Sequence, residues 1–235
     1  MEQSKNALPA ILMKNVQFGW QGKKVPLLNI SDLRIERGEH IFLYGPSGSG
    51  KTSLLNILAG INIPQRGSVD ILGESLIDLS QRQRDKFRAK HMGIVFQQFN
   101  LITYLSVLDN LLLRAEFAIQ DKAVAKQKAI ELLTSLGLNG LLHQKAQDLS
   151  VGQQQRVAVA RALINSPDII IADEPTSALD SDNRDAFIEL LFANALAVNA
   201  TIVFVSHDKT LSHFFSRSLD IRALSSEDVE VASPC

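Results

Sequence analysis

The chain has 235 residues, which fits one large domain or one domain with a subdomain. Its 24 basic and 25 acidic residues leave a formal net charge of -1, and this balance argues against a dedicated nucleic-acid-binding protein. The single cysteine, Cys235, cannot form a disulfide or a metal cluster with another cysteine of this sequence, so we expect a reducing compartment.

The apolar segments predict a chain that does not cross a membrane by itself. The N-terminus lacks a basic leader followed by an apolar core, so we expect no signal peptide. The two longest apolar runs, 101–113 and 190–205, are shorter than a membrane span and are interrupted by Asp109 and Asn194. We therefore expect a cytoplasmic protein that reaches a membrane only through a partner.

Two strands are predicted in the first part of the chain. Residues 11–21 alternate in polarity through Val16, Phe18 and Trp20, and residues 26–35 form the second candidate strand. Trp20 is the only tryptophan of the chain. The pattern alone favours a core or hairpin residue, and the alternative is a flat platform for a purine ring.

A phosphate-binding loop is predicted after the next strand. The apolar residues 41–44 precede a glycine-rich turn and a helix over 52–58 that Gly60 ends. The turn GPSGSGKT fits G-x-x-x-x-G-K-[ST] at every fixed position, so backbone N–H groups and the helix N-terminus can surround a phosphate. Lys51 adds a charge toward the terminal phosphates, and the Thr52 hydroxyl can ligate Mg²⁺. The predicted nucleotide-binding residues of this segment are Gly45, Pro46, Ser47, Gly48, Ser49, Gly50, Lys51, Thr52 and Ser53.

Helices are predicted through the middle of the chain. Polar residues interleave with the basic charges of 79–90, which indicates a solvated helix face. A helix over 121–136 is capped by Asp121 and ended by Gly137, and another helix covers 150–164.

Strand signals resume after this helical part. Residues 168–172 and 201–205 are apolar strands, and 182–198 form an amphipathic helix between them. Strand–helix–strand alternation is typical of a parallel α/β sheet. We expect a single domain, 1–235, with a nucleotide-binding core of 1–97 and 165–235 and an inserted helical subdomain of about 98–164.

Two carboxylates follow the strand over 168–172. Ligands bind at the carboxyl ends of strands in an open parallel sheet, so Asp173 can hold Mg²⁺ opposite Thr52. The next carboxylate, Glu174, should reach the water that attacks the γ-phosphate. The alternative is that both are ordinary loop acids.

A second anion site is predicted at LSVGQQQR, residues 149–156. Ser150 is an N-cap residue that opens a helix, and Gly152 lies in its first turn. One domain has no need of two γ-phosphate sites for one nucleotide, so we expect this site to serve the nucleotide of a second copy. His207 follows the strand over 201–205, where it can contact the γ-phosphate; the alternative is a polar loop residue.

Taken together, these motifs resemble the ATPase subunit of the ATP-binding cassette (ABC) family, and the resemblance spans nearly the whole chain. The matching segments are Gly45–Thr52 (Walker A), Gln97 (Q-loop), 149–153 (signature), 169–174 (Walker B), 177–180 (D-loop) and His207 (switch histidine). The resemblance implies an α/β fold, in which a P-loop NTPase core with a mixed, largely parallel sheet carries an N-terminal antiparallel β part and an inserted helical subdomain.

The resemblance also implies that ATP and Mg²⁺ are the ligands, and it assigns roles to residues. The implied catalytic residues are Glu174, His207, Lys51 and Gln97. The implied metal ligands are Thr52, Gln97 and Asp173. The implied nucleotide contacts outside the phosphate loop are Trp20, Ser150, Gly152, Gln153 and Asp180, with Trp20 where the family usually places a tyrosine that stacks on adenine.

The chain departs from the family pattern at two positions. Val151 replaces the first glycine of LSGGQ, so this side chain must either point away from the nucleotide or crowd it. Thr52 stands where many relatives have serine, which keeps the hydroxyl for magnesium.

Two stretches, NLITYLSVLDNL and SVGQQQRVAVARAL, look like the lipoprotein-release, macrolide-export and cell-division group of the family. That resemblance implies a homodimer in the ATP-bound state, docked to separate integral membrane permease subunits on the inner face of the membrane, and no nucleic-acid partner. Docking is expected between 97 and 113, where Phe99 and Tyr104 belong to an apolar cluster. Plain core packing explains the same cluster equally well.

Several functions are compatible with one such domain. The chain can power a transporter with substrate flux, or it can be a signalling ATPase that acts through its membrane partner. A DNA-repair or chromosome-structure ATPase would need a long coiled-coil insertion, and no sustained heptads are present. A translation-associated member would carry two such domains. A binding module without turnover is disfavoured by Glu174 and His207.

Overall fold

The computed structural model describes residues 8–20, 22, 26–177, 179 and 181–224, with the backbone alone at 181 and 182. None of the helices in these ranges combines the length and the apolar composition that a membrane span requires.

One sheet is antiparallel and comes mostly from the first part of the chain. Its strands are β1 (Ile11–Phe18), β2 (Leu28–Ile35), β4 (Arg66–Ile71) and β5 (Glu74–Ser75), in the order β2-β1-β4-β5. Buried side chains alternate at both ends of β1 and of β2, with two successive exposed residues in the middle of each strand. The polarity alternation of residues 11–21 predicted the first of these strands. The two strands pair in register, with Val16 opposite Ile30. The buried residues of this sheet share one hydrophobic cluster with Ile41, Ile171 and Val203 of the second sheet.

The second sheet is parallel in each of its pairings and carries the loops of the site. Its strands are β3 (His40–Tyr44), β6 (Met92–Phe96), β7 (Ile169–Asp173), β8 (Thr201–Ser206) and β9 (Arg217–Asp220), in the order β6-β7-β8-β3-β9. Phe96 pairs with Asp173, and Tyr44 pairs with Ser206. Because parallel strands end at the same edge, the segments that follow β3, β6, β7 and β8 meet there.

Some of the helices pack against the sheets, and others form a separate hydrophobic core. They are α1 (Lys51–Leu58), α2 (Gln81–His91), α3 (Val107–Ala115), α4 (Lys122–Ser135), α5 (Val151–Leu163), α6 (Ser181–Ala197) and α7 (Ile221–Leu224). Short 3₁₀ turns occur at Asn139–Leu141, Ala146–Asp148 and Lys209–Phe214. The helix α3 was not predicted; Ser106 caps it by accepting a hydrogen bond from the backbone N–H of Asp109.

The helix α5 joins the helical unit to the parallel sheet. Its Val157 and Ala160 are buried against α3 and α4, whereas its Ala158 and Ala162 are buried in the core of the parallel sheet. The limits of about 98 and 164 for a separate helical subdomain therefore stay a prediction, because one helix contributes to both cores.

The basic helix α2 is less solvated than its composition predicted. Arg84 donates a hydrogen bond to the backbone oxygen of Gly60, and Arg88 donates one to that of Ala59. Both carbonyls lie at the C-terminal end of α1, where the last backbone oxygens have no partner within the helix. These arginines therefore tie α2 to the helix that follows the phosphate loop.

The close contact between β6 and α5 predicts that Gly93 does not tolerate a larger residue. A Cβ atom added at Gly93 would overlap the backbone oxygen of Ala162, so one element would have to shift. We expect Gly93→Ala to lower the free energy of unfolding by about 1–3 kcal/mol, measured by urea denaturation. At Gly140 a Cβ meets no atom within 4 Å, so Gly140→Ala is the matched control. Equal stability of the two variants would contradict this packing.

Candidate nucleotide-binding site

The loop between β3 and α1 forms a cradle of backbone groups. Gly48 and Gly50 adopt left-handed backbone conformations with φ of 80° and 92°. A Cβ at Gly50 would lie 2.7 Å from a methyl carbon of Leu28, so this position also requires the absence of a side chain. Gly50 is the N-cap of α1, whose free N–H groups point back toward the loop. This arrangement suits an anion such as a phosphate.

The loop borders a cleft of about 510 Å³. The lining residues are Trp20, Leu27, Ser47, Gly48, Gly50, Lys51, Thr52, Ser53, Gln97, Asp173 and Glu174. Segments that are far apart in the chain thus meet at one opening, as predicted for the ends of the parallel strands. Gly45, Pro46 and Ser49 belong to the same loop without lining the cleft; a Cβ at Gly45 would overlap Ile221 and Ser49.

Lys51 lines this cleft, and its side chain is largely shielded from solvent. Its Nζ donates hydrogen bonds to the backbone oxygens of Gly45, at 2.9 Å, and Pro46, at 3.1 Å. The same Nζ lies 3.9 Å from Oε1 of Glu174. The ammonium group is therefore held by two neutral carbonyls and lies near one carboxylate.

Asp173 is the last residue of β7 and lines the same cleft as Thr52. Burial raises the pKa of Asp173 above its usual value, and the negative charge of Glu174 raises it further, while Lys51 and Thr52 act in the opposite direction. A nearby cation would stabilise the charged form of such a buried carboxylate.

These groups fit a magnesium ion that is only partly held by protein. Thr52, Asp173 and Gln97 offer oxygen ligands in one cleft, and Mg²⁺ usually takes one or two carboxylates together with substrate phosphates and water. Within the described ranges no cluster of three or more histidine, cysteine, aspartate or glutamate side chains could hold a metal ion alone.

Glu174 has an unusual backbone conformation and a crowded carboxylate. Its φ is 48°, in the left-handed region that non-glycine residues rarely adopt, and its N–H donates to the backbone oxygen of Val205. The side chain is 14% exposed and lies 2.7 Å from Nδ1 of His207. The Ser206 hydroxyl also donates to Glu174, at 3.4 Å. The carboxylate is thus directed at the end of the cleft by groups from a neighbouring strand.

His207 follows β8, as predicted, and its side chain is 66% exposed. Its contact within the described chain is with Glu174 rather than with the phosphate loop. The sequence alone did not point to Ser206, which supports Glu174 and accepts a hydrogen bond from the N–H of Asp208. The position of Ser206 directly before His207, at the end of the same strand, is the feature of the sequence that could have indicated its role.

The predicted second anion site lies at the start of α5, outside the cleft of the phosphate loop. Ser150 and Gln153 form a capping box: the Ser150 hydroxyl accepts from the N–H of Gln153, and the Gln153 side chain accepts from the N–H of Ser150. Gly152 is exposed, and a Cβ there would meet nothing within 4 Å. Val151 is 52% exposed, so its side chain points away from the interior of its own chain.

Trp20 lies at the mouth of the cleft, where more than half of its surface is exposed. Its ring meets Phe18 edge to face, with the centroids 5.4 Å apart. Burial in the core is therefore excluded, and the exposed face of the indole is free to receive a flat group. The predicted contact Asp180 lies outside the described residues.

Comparisons with known proteins agree on one family. Residues 28–177 match the ABC transporter family. The chain is 41% identical over 202 residues to an uncharacterized ABC transporter ATP-binding protein of Methanocaldococcus jannaschii, covering 86% of this chain and 89% of that protein. It is 37% identical over 202 residues to the lipoprotein-releasing system ATP-binding protein LolD of Xanthomonas axonopodis pv. citri, covering 86% and 83%.

A solved structure agrees with this result. The dimeric structure of a post-hydrolysis state of an ATP-binding cassette bound to ADP and Pi has a TM-score of 0.77 to this chain at 36% identity. The match covers 89% of this chain and 93% of that chain. The antiparallel sheet, the parallel sheet and the helices described above therefore form a known fold.

Proposed function

The chain belongs to the ABC transporter family, as its motifs predicted, and from that premise we propose that it is an ATP-hydrolysing subunit that drives a separate membrane-spanning partner. The observation that carries this proposal is the position of Glu174, whose carboxylate lies between Lys51 and His207 at the end of the phosphate-loop cleft. A carboxylate in that position can orient and deprotonate the water that attacks a γ-phosphate.

Each part of the cleft has a role in holding ATP. The adenine ring stacks on the exposed face of Trp20, and the N–H groups of loop 45–50 and of α1 surround the phosphates. Lys51 exchanges its contacts with the carbonyls of Gly45 and Pro46 for the terminal phosphates, where its charge is better balanced. Thr52, Asp173 and Gln97 would hold a magnesium ion, whose chemistry would be to stabilise developing negative charge.

Hydrolysis then depends on positioning and charge. Glu174 takes the proton of the attacking water, and His207 orients Glu174 and donates to the γ-phosphate. The Glu174 side chain is only 14% exposed, so its charge acts with little screening by bulk water.

We propose that the second phosphate contact comes from another copy of the chain. The capping box of Ser150 and Gln153 leaves Gly152 and the N-terminus of α5 open on a surface away from the phosphate-loop cleft. In a head-to-tail homodimer, each ATP lies between the loop 45–52 of one protomer and the helix α5 of the other. Val151, exposed on this surface, would then contact the partner protomer. Closure of the dimer excludes water, and loss of the γ-phosphate opens it.

The membrane partner is proposed to dock beside the Q-loop. A cleft of about 280 Å³ opens between β6 and α3, and Ile102, Leu113 and Phe117 contribute apolar surface to it. The cluster at 97–113 divides into two kinds of residue: Phe99 is 7% exposed and belongs to the core, whereas Tyr104 is 71% exposed. Docking therefore uses Tyr104 and not Phe99. Through this contact the chain is held at the inner face of the membrane.

The similarity to an ATP-binding protein of a lipoprotein-releasing system supports a partner of the export or lipoprotein-release type. Selection of the cargo resides in the membrane subunit, because the cleft of this chain is shaped for the nucleotide.

A charge at the docking surface should separate the chain from its partner. We expect Tyr104→Glu to keep the ATPase activity of the isolated chain but to abolish co-purification with a multi-span membrane protein from detergent-solubilised membranes. The carboxylate would lose its hydration on docking without gaining a partner. Leu196→Glu on α6, where the side chain is 68% exposed, is the matched control and should co-purify normally. Retained co-purification of Tyr104→Glu, or equal loss in both variants, would contradict docking at this surface.

A further inference from the structure

The loop that carries His207 is anchored by the next residue, Asp208. One carboxylate oxygen, Oδ1, accepts hydrogen bonds from the N–H of Thr210, at 3.0 Å, and from its hydroxyl, at 2.7 Å. The other, Oδ2, accepts from Nη1 of Arg184 at 2.8 Å. The backbone N–H of Asp208 donates to the hydroxyl of Ser206. Both neighbours of His207 in the chain are therefore fixed by side-chain contacts.

Arg184 reaches this loop from the first turn of α6. Its Nε donates to Asp185 on the same helix, at 3.0 Å, while Nη1 reaches across to Asp208. The Arg184 side chain is only 21% exposed, so this ion pair is less hydrated than a typical surface pair. Two neighbouring carboxylates hold the planar guanidinium in one orientation. The Thr210 hydroxyl lowers the pKa of Asp208 most, with Arg184 adding to the effect, so the carboxylate stays charged.

The contacts form a continuous chain from α6 to the proposed catalytic carboxylate. Arg184 binds Asp208, the N–H of Asp208 binds Ser206, and Ser206 and His207 both bind Oε2 of Glu174. His207 itself is mostly exposed and has little packing to hold its ring in place. Its orientation therefore depends on how firmly the backbone on either side is held.

We propose that Arg184 is a positioning residue for ATP hydrolysis, which acts by fixing the loop 206–210 through Asp208 and thereby orienting His207 toward Glu174. This inference rests on the proposed function. It adds to that function a residue outside the recognised motifs and outside the residues that line the nucleotide cleft. Arg184 touches neither the substrate nor the reacting atoms.

The test compares turnover with binding in the full-length chain. We expect Arg184→Ala to lower kcat about tenfold, since displacement of a catalytic group by about 1 Å can cost up to about 100-fold. The KM and the Kd for ATP should change by less than about twofold, because the phosphate loop is untouched. Arg34→Ala removes a more exposed arginine–carboxylate pair, between Arg34 on β2 and Glu36 just after it, and should leave kcat unchanged.

Two further variants separate positioning from simple destabilisation. Arg184→Lys restores a cation beside Asp208 and should recover part of the lost kcat, because the ammonium group keeps the charge but cannot contact Asp185 and Asp208 in the same planar geometry. Asp208→Asn should lower kcat to a similar extent, and the double variant Arg184→Ala with Asp208→Asn should fall no further than either single variant. Thermal unfolding of each variant checks that the chain remains folded under the assay conditions.

Clear outcomes would overturn the inference. A wild-type kcat in Arg184→Ala, no recovery in Arg184→Lys, additive losses in the double variant, or an equal weakening of ATP binding would each remove Arg184 from this role. Failure of the proposed function has a different signature, because the wild-type chain itself would then show no ATP turnover in the same assay.

Discussion

Glu174→Gln is expected to bind ATP normally and to hydrolyse it at about one hundredth to one ten-thousandth of the wild-type rate, the usual loss when a general base is removed. Glutamine has almost the same shape and the same φ preference, so the strained backbone at φ 48° is changed little by the substitution. Its amide can still contact His207 but cannot accept the proton of the attacking water. The measurement is the release of phosphate at saturating ATP.

The same variant tests the proposed dimer. Because the γ-phosphate stays in place, the two proposed contacts on it, from loop 45–52 and from the N-terminus of α5, are both retained. We expect light scattering to show a dimer of Glu174→Gln with ATP and Mg²⁺ and a monomer with ADP.

The control for this variant is Glu189→Gln, the same change at an exposed position of α6. It should hydrolyse ATP at the wild-type rate. Near-normal turnover of Glu174→Gln would remove Glu174 from its role as base. A variant that is saturated with ATP and yet monomeric would contradict the head-to-tail dimer.

Lys51→Ala is expected to weaken ATP binding about 10- to 100-fold, because a hydrogen bond to a charged group contributes about 1.5–3 kcal/mol. The lysine is shielded from solvent and held near Glu174, so the loss of its charge is poorly compensated by water. Isothermal titration calorimetry with ATP measures the effect directly. The pKa of Asp173 should also rise further, since Lys51 is one of the groups that lower it.

The control for this change is Lys126→Ala on α4, where the lysine is exposed. Its affinity for ATP should equal that of the wild-type chain. If Lys51→Ala bound ATP as tightly as this control, the ammonium group would not contact the terminal phosphates, and the proposed pose would be wrong.

Prediction from sequence worked best for features whose residues lie close together in the chain. The phosphate loop, the helix α1 and the N-cap Ser150 each depend on residues within a few positions of one another, and the structure contains each of them. The apolar strands β3, β7 and β8 were found because burial on both faces leaves an uninterrupted apolar run. The strand β9 was missed because its sequence, RSLD, has no such run.

Some assignments could not be made without side-chain surroundings. The sequence segments around Phe99 and Tyr104 are similar in composition, but the Phe99 side chain is buried and the Tyr104 side chain is exposed. Trp20 was favoured as a core or hairpin residue by its strand pattern, and the structure leaves much of its ring exposed at the mouth of the cleft. Burial depends on which helices and strands pack against each other. The alternation of polarity within one strand does not determine this packing.

The sequence by itself determined the family, the phosphate loop and the local conformations of its helices and strands, because these follow from backbone preferences and hydrophobic periodicity over short distances. Only the tertiary structure decided how distant segments combine. The strand order β6-β7-β8-β3-β9 brings Gln97, Glu174 and His207 to the edge that carries Lys51, although they lie in separate parts of the chain. The ion pair of Arg184 with Asp208 depends on the same packing. Hydrogen bonds between such segments depend on strand pairing and helix docking, which no local pattern encodes.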